Sequence, residues 1–249
     1  MKALVLAGGY GKRLKAHTDC PKALLEVGGK PILSHILENV SQSADIDTII
    51  ISTNERFRTE FETYLAGNTW KKPVRLVIEP SKTEAHKLGS IGGIQFAIRE
   101  TGLSGDLLIV GGDNLFGMDL SAFLQSAKNR SVIGVCDVKD KKLASEYGVV
   151  TIDTDGLITD FIEKPAHPNS TLVSTAIYHF PKKVILRIDE YLTGGGSKDR
   201  LGDFISWLYK RENVYVHEFS NYWFDVGCIG SLKAARRHLN HPSASPKSP

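Results

Sequence analysis

Along the first half of the chain, short uninterrupted apolar runs alternate with longer segments whose apolar residues recur every three or four positions. Residues 2–6, 48–52, 74–78 and 107–110 are runs of the first kind and read as strands buried on both faces. Residues 31–40 predict a helix with Ile32, Ile36, Leu37 and Val40 on one face. Pro31 suits its first turn, where no amide hydrogen is needed. Helices are likewise predicted over 57–65, 91–100 and 120–129, and a strand over 131–138. In the second half, 147–153 and 157–163 flank Asp155-Gly156, a strong hairpin signal. A strand at 172–180, a helix at 184–192, a flexible loop at 193–197, a helix at 201–210, a strand at 214–218 and a helix at 231–239 complete the pattern. The tail 241–249 has no apolar period and several prolines, and is predicted to be disordered. Alternating strand and helix predicts an α/β domain over 1–240 with a mixed, mostly parallel central sheet, covered by helices on both faces. Ligands of such sheets bind beyond the carboxyl ends of the strands, where the glycine clusters of this chain fall.

Composition narrows the partners. With 249 residues and 41% hydrophobic content, one core suffices. A net charge of +3, from 31 basic and 28 acidic residues, is too mild to argue for nucleic acid or a membrane as partner. Cys20, Cys136 and Cys228 lack CxxC spacing and read as reduced thiols of a cytoplasmic protein. The opening apolar stretch is too short for a signal peptide, and no run reaches the ~18 residues of a membrane span.

The candidate chemistry begins directly after the first strand, at Leu6-Ala7-Gly8-Gly9-Tyr10-Gly11-Lys12-Arg13-Leu14. Glycines let the backbone approach a phosphate chain and aim amide hydrogens at it, and Lys12, Arg13, Lys15 and Lys22 add positive charge. Arg13 stands where a P-loop needs Ser or Thr, and Leu14 stands where a dinucleotide loop needs glycine. On loop chemistry alone, phosphate binding and a plain tight turn both stand. Asp113, in Gly-Gly-Asp-Asn, and Asp225, in Trp-Phe-Asp-Val-Gly, each follow an apolar run. They read either as turn residues or as the hard oxygen ligands that magnesium prefers. The eight histidines make no ligand spacing.

LAGGYGKRL followed by Pro21-Lys22 closely resembles the opening of the sugar-phosphate nucleotidyltransferases, departing from it at Lys12, where the family usually carries Thr or Ser. The resemblance runs from Met1 to about Leu239, and five further segments carry it. They are Leu88-Gly89-Ser90-Ile91-Gly92-Gly93, Gly112-Asp113-Asn114, Tyr147-Gly148-Val149-Val150 with Phe161-Ile162-Glu163-Lys164-Pro165, and Trp223-Phe224-Asp225-Val226-Gly227. It implies a Rossmann-like nucleotide-diphospho-sugar transferase domain and a magnesium-dependent enzyme joining a nucleoside triphosphate to a sugar 1-phosphate with release of pyrophosphate.

By the same resemblance, Leu6, Ala7, Gly8, Gly9, Gly11, Glu79 and Gly89 hold the nucleotide. Gly148, Glu163, Lys164 and Thr175 hold the sugar phosphate, Arg13, Lys22 and Lys164 neutralise charge at the reacting phosphates, and Asp113 and Asp225 bind Mg2+. Trp223 is expected to pack beneath the metal loop. The nearest branch is glucose 1-phosphate with dTTP or UTP, mannose or heptose 1-phosphate with GTP is its rival, and a phosphocholine or amino-sugar acceptor stands as a further alternative. The absence of hexapeptide repeats argues against a β-helix domain and acetyl transfer. Self-association into a homo-oligomer is compatible with the resemblance. Two other readings stand beside it. A non-catalytic sugar-nucleotide sensor would tend to lose Arg13, Asp113 or Asp225, and all three are present. A glycosyltransferase would need an acidic metal motif, for which Asp137/Asp140 and Asp153/Asp155 are candidates.

Overall fold

The computed structural model describes residues 1–11, 13–14 and 18–240. Lys12, Lys15 and His17, together with the tail 241–249 expected to be disordered, lie outside the described residues.

Thirteen strands and nine α-helices follow one another among the described residues. The strands are β1 (Lys2–Leu6), β2 (Glu26–Val27), β3 (Lys30–Pro31), β4 (Thr48–Asn54), β5 (Val74–Glu79), β6 (Leu107–Gly111), β7 (Asn114–Phe116), β8 (Ser131–Asp137), β9 (Gly148–Ile152), β10 (Ile158–Glu163), β11 (Leu172–Phe180), β12 (Val214–Glu218) and β13 (Trp223–Asp225). The helices are α1 (Ile32–Gln42), α2 (Arg58–Ala66), α3 (Gly89–Thr101), α4 (Leu120–Ser126), α5 (Lys141–Ala144), α6 (Lys182–Ile185), α7 (Arg187–Thr193), α8 (Leu201–Leu208) and α9 (Ile229–Asn240).

Nine strands form one sheet. Its spine runs β10-β9-β11-β6-β1-β4-β5, and β8 joins β11 to β12. The pairs β1–β4, β1–β6, β4–β5 and β8–β12 are parallel, whereas β11 runs against β6, β8 and β9, and β10 against β9. All the strands except β10 and β11 therefore point one way, and β1, β4, β5 and β6 end on the same rim.

Alternate residues of the central strands feed two cores. Ala3 and Val5 of β1 pack with α1, α4 and α9, while Leu4 packs with α3, α7 and α8. A strand buried on both faces has no polar face to display, which is why β1, β4 and β6 read as continuous apolar runs. The Asp155-Gly156 hairpin forms as expected, with the Asp153 carboxylate accepting from the amides of Asp155 and Leu157 at 2.9 Å each. Two expected helices come out shorter. Residues 184–192 divide at Leu186 into α6 and α7, and α4 stops at Ser126 ahead of Asn129, which takes a left-handed φ of 59°.

A separate two-stranded ribbon joins distant parts of the chain. β13 pairs antiparallel with β7 in the register Trp223↔Phe116, Phe224↔Leu115 and Asp225↔Asn114. Trp223 is buried, donates its indole hydrogen to Asn114 Oδ1 at 2.7 Å, and packs edge-on against Tyr147, 5.0 Å between ring centroids. It thus supports the ribbon from below.

Candidate active site

Strand β1 ends at Leu6, and the next residues are tied to β4 before they reach solvent. Ala7 donates its amide to Ser52 O at 2.7 Å, Thr53 Oγ1 donates to Ala7 O at 3.3 Å, and Asn54 Nδ2 donates to Gly8 O at 3.0 Å. Gly9 is exposed, with open space where a side chain would stand. The loop is thus fixed on its sheet side and bare on its outer side, as a backbone phosphate cradle requires.

Leu6, Ala7, Gly8, Gly9, Lys22, Glu79, Gly89 and Asp113 all line one cleft of about 220 Å³ at the carboxyl ends of β1, β5 and β6. Gly11 lies beside it, facing Lys22: a side-chain carbon at Gly11 would stand 3.4 Å from Lys22 Cγ. A larger cavity of about 610 Å³ opens at the other end of the sheet, where β8 and β12 begin, and holds none of the expected site residues. The smaller cleft is the one that gathers the expected nucleotide-side residues.

The charged groups converge. Lys22 Nζ lies 3.0 Å from Asp113 Oδ2. The β7–β13 register sets Asp225 beside Asn114, and Val226 donates its amide to Asp113 O at 2.9 Å. Arg13 reaches the same place, since a side-chain carbon at Gly227 would stand 2.8 Å from Arg13 Nη2 and 3.5 Å from Asp225 Oδ2. Burial, and then the Asp113 carboxylate, push the Asp225 carboxyl above the ordinary carboxylate range, against the pull of Lys22, Arg13 and Lys164. Four charges spread along the sequence, Arg13, Lys22, Asp113 and Lys164, therefore all act on Asp225.

Among the described residues, no group of three or more His, Cys, Asp and Glu side chains could cage a metal. The Asp113–Asp225 pair fits magnesium on chemical grounds. That ion commonly takes one or two carboxylates and completes its shell with phosphate oxygens and water. Two crowded carboxylates, one of them destabilised by burial, favour a cation between them.

Glu79 ends β5 and is 5% exposed. Its Oε1 accepts from Ser52 Oγ at 3.0 Å, and burial pushes its pKa up to about 7 despite that bond. Gly89 has a φ of 78°, a region that disfavours side chains, and a β-carbon there would collide with the Lys198 carbonyl. The amides of Ser90 and Ile91 donate to Asp199 O and Lys198 O at 2.9 and 3.0 Å. The first turn of α3 is therefore satisfied by protein at Ser90, Ile91 and Gly92. Lys87 pairs with Asp199 at 2.9 Å and pins the 198–199 segment to the cleft edge.

On the other side, Gly148 begins β9 and Glu163 ends β10, paired in register. A side-chain carbon at Gly148 would lie 3.1 Å from Glu163 Oε2, and one at Gly202, in the first turn of α8, would overlap that oxygen outright. Burial raises the Glu163 carboxyl while Lys164 and Arg200 oppose the rise. Lys164 takes a left-handed φ of 51° and donates its amide to Tyr147 O at 2.9 Å. Thr175 does not reach this space: it is fully buried and its hydroxyl donates to Gly134 O at 2.8 Å. A bulge in β11 turns Thr175 into the sheet and gives the cleft wall to Ala176 instead.

The alternative acidic motifs are consumed locally. Asp137 Oδ1 accepts from the Lys139 amide at 2.9 Å and from Thr171 Oγ1 at 2.6 Å, and Asp140 caps α5 by accepting from the Lys142 and Leu143 amides. Asp153 serves the hairpin turn described above.

Sequence reasoning missed Ser52, Thr53 and Asn54, although three polar residues ending a buried apolar strand were a visible signal. It also missed Gly202 and Ala176, for which no sequence signal stood out.

The family model described as nucleotidyl transferase matches residues 2–241. The chain is 30% identical over 242 residues to the bifunctional protein GlmU of Methanocaldococcus jannaschii, covering 96% of this chain and 54% of that one. It is 32% identical over 229 residues to a "Putative mannose-1-phosphate guanyltransferase" of Sulfolobus acidocaldarius, covering 91% and 60%. The chain thus spans little more than half the length of these relatives. Among solved structures, it resembles a "Putative Glucose-1-Phosphate Thymidylyltransferase" from Bacillus anthracis, crystallised with a sucrose, at a TM-score of 0.82 and 26% identity over 99% of this chain and 98% of that one. HddC from Yersinia pseudotuberculosis, complexed with GMP-PN, shares the fold at a TM-score of 0.74 and 22% identity, over 96% of this chain and 99% of that one.

Proposed function

The chain belongs to the nucleotidyl transferase family, and from that premise we propose that it joins a nucleoside monophosphate to a sugar 1-phosphate and releases pyrophosphate. The observation that carries this reading is the meeting of Arg13, Lys22, Lys164, Asp113 and Asp225 beside a bare glycine loop at the sheet's rim.

The sugar phosphate oxygen attacks the α-phosphorus of the nucleotide, and pyrophosphate leaves. The nucleophile is already an anion at neutral pH, so no side chain has to take a proton from it. The protein's work is to align two anions and offset their charge. The Gly8–Gly11 amides and Arg13 hold the outer phosphates, Lys22 bears on the reacting one, and Lys164 on the phosphate of the sugar. Asp113 and Asp225 would hold magnesium, whose charge helps neutralise the phosphates. Glu163, wedged against Gly148 and Gly202, accepts hydrogen bonds from sugar hydroxyls. Such an enzyme acts on free metabolites, which suits the cytoplasm, and no described helix is long and apolar enough to cross a membrane.

Glu79 bears on the base. A carboxyl that keeps its proton both donates and accepts, which matches the imide N–H and carbonyl of uracil or thymine. Once ionised it only accepts, which matches the adjacent N–H groups of guanine. Burial, which raises the pKa of Glu79 to about 7, makes the first form available near neutral pH, and that form suits dTTP or UTP, which we pair with glucose 1-phosphate. GTP with mannose 1-phosphate is the second reading, supported by the named guanyltransferase relative. Pyrophosphate release, assayed across a grid of nucleoside triphosphates and sugar 1-phosphates with Mg2+, tests both. Turnover of dTTP or UTP with glucose 1-phosphate above all other pairs is expected, and a grid without turnover overturns the reading.

A further inference from the structure

Four non-glycine residues among those described take a left-handed φ: Asn129, Lys139, Lys164 and Ala176. Only Ala176, with φ 55°, does so inside a strand. The cause lies in the register of β11 against β8. Ser174 stands opposite Val135 and Tyr178 opposite Ile133, so Thr175, Ala176 and Ile177 share the single partner Gly134. The surplus must leave the pleat. Thr175 folds towards the partner strand, where its Oγ1 lies 3.0 Å from the place a Gly134 side chain would occupy. The backbone then reverses hand at Ala176 and presents its methyl to the cleft. There the methyl lies over Gly111: a side-chain carbon at Gly111 would stand 3.3 Å from it.

The location matters as much as the strain. On this side β11 pairs with β6 up to Ile177↔Val110, and with β9 at Val173↔Val149. Ala176 sits in the gap between the two, with the Asp113 end of β6 on one hand and the Gly148–Glu163 pair on the other. Leu201, preceding Gly202, lines the same cleft. Glycine would adopt this backbone without strain, so an alanine is the unfavourable choice for the fold. What the methyl adds is bulk in the cleft.

We propose that Ala176 is a specificity-determining residue, whose methyl narrows the acceptor side of the cleft and selects a sugar 1-phosphate with free hydroxyls there over one with an acylamino substituent. The inference rests on the sugar 1-phosphate reading above. A contact of one carbon atom discriminates by about 10–200-fold.

The test compares the chain with Ala176→Gly. Pyrophosphate release is measured with glucose 1-phosphate, mannose 1-phosphate and N-acetylglucosamine 1-phosphate, using the best nucleotide of the grid, and melting is followed in parallel. In the variant, kcat/KM for the N-acetylated sugar relative to the neutral sugars is expected to rise about tenfold or more. Its melting temperature is expected to be no lower than that of the parent, because glycine relieves the left-handed strain. An unchanged ratio in an active variant overturns the inference and leaves nucleotidyl transfer standing. Absence of pyrophosphate from every pair with the parent chain overturns both.

Discussion

Replacing Glu79 with glutamine isolates the effect of burying one carboxyl. The side chain is 5% exposed, and among the described residues no cation pairs with it. It sits in a slot between two glycines: side-chain carbons would meet its Oε1 at 3.1 Å from Gly8 and 2.7 Å from Gly93. Burial pushes its pKa from the ordinary 4.5 up to about 7, with the Ser52 hydrogen bond opposing the rise. The folded protein therefore holds this proton more tightly than the unfolded chain does. The stability it contributes is fully present below pH 4.5 and is lost as pH rises through about 7. At roughly 1.4 kcal/mol per pKa unit, the full loss is about 3 kcal/mol. Glutamine keeps the shape and the acceptor for Ser52 but cannot ionise, so E79Q escapes the loss. Urea unfolding of both proteins at pH 5 and pH 8.5 gives the answer. The stability of E79Q relative to the parent should rise by about 2–3 kcal/mol between the two pH values. A relative stability that stays flat within about 0.5 kcal/mol would refute the claim that Glu79 is desolvated and unpaired.

Lys22→Ala should lower kcat about 100-fold while changing nucleotide KM much less, and an effect confined to KM would remove Lys22 from the transition state. Asp225→Asn should reduce Mg2+-dependent pyrophosphate release by more than about 100-fold, beyond the usual cost of an outer-shell partner. Its melting temperature should hold or rise, because burial and Asp113 both disfavour the charge that is removed. Gly202→Ala would drive Glu163 out of its slot and should raise KM for the sugar phosphate about tenfold or more, with nucleotide KM nearly unchanged. Equal shifts in both KM values, read by steady-state kinetics, would separate Glu163 from the sugar.

The elements legible in the sequence share one property: their pattern is local. β1, β4 and β6 announce themselves as apolar runs because both of their faces are covered, and the β9–β10 hairpin because Asp155-Gly156 supplies its turn. The β7–β13 ribbon has three residues on each side, too few for any period, and it exists only because residues 114–116 meet residues 223–225. Motif order pointed to Asp113 and Asp225, but nothing local says that they meet. Thr175 shows the opposite failure. The resemblance set it beside the sugar without reading the local backbone, and the bulge opposite Gly134 folds it into the sheet, so its neighbour lines the cleft. Gly202 was opaque for a related reason, since its value lies in the absence of atoms where a distant glutamate needs room.

The ribbon also imposes an order on the emerging polypeptide. β1, β4 and β5, with the glycine loop and Glu79, are synthesised before residue 80, and Asp113 follows soon after, but its companion arrives only at residue 225. A nascent chain halted anywhere before Trp223 would carry the glycine loop without the paired carboxylates beside it, and Asn114 would lack the indole that holds it. The wiring of the fold thus makes late translation the step at which a half-built pocket acquires its second acidic group.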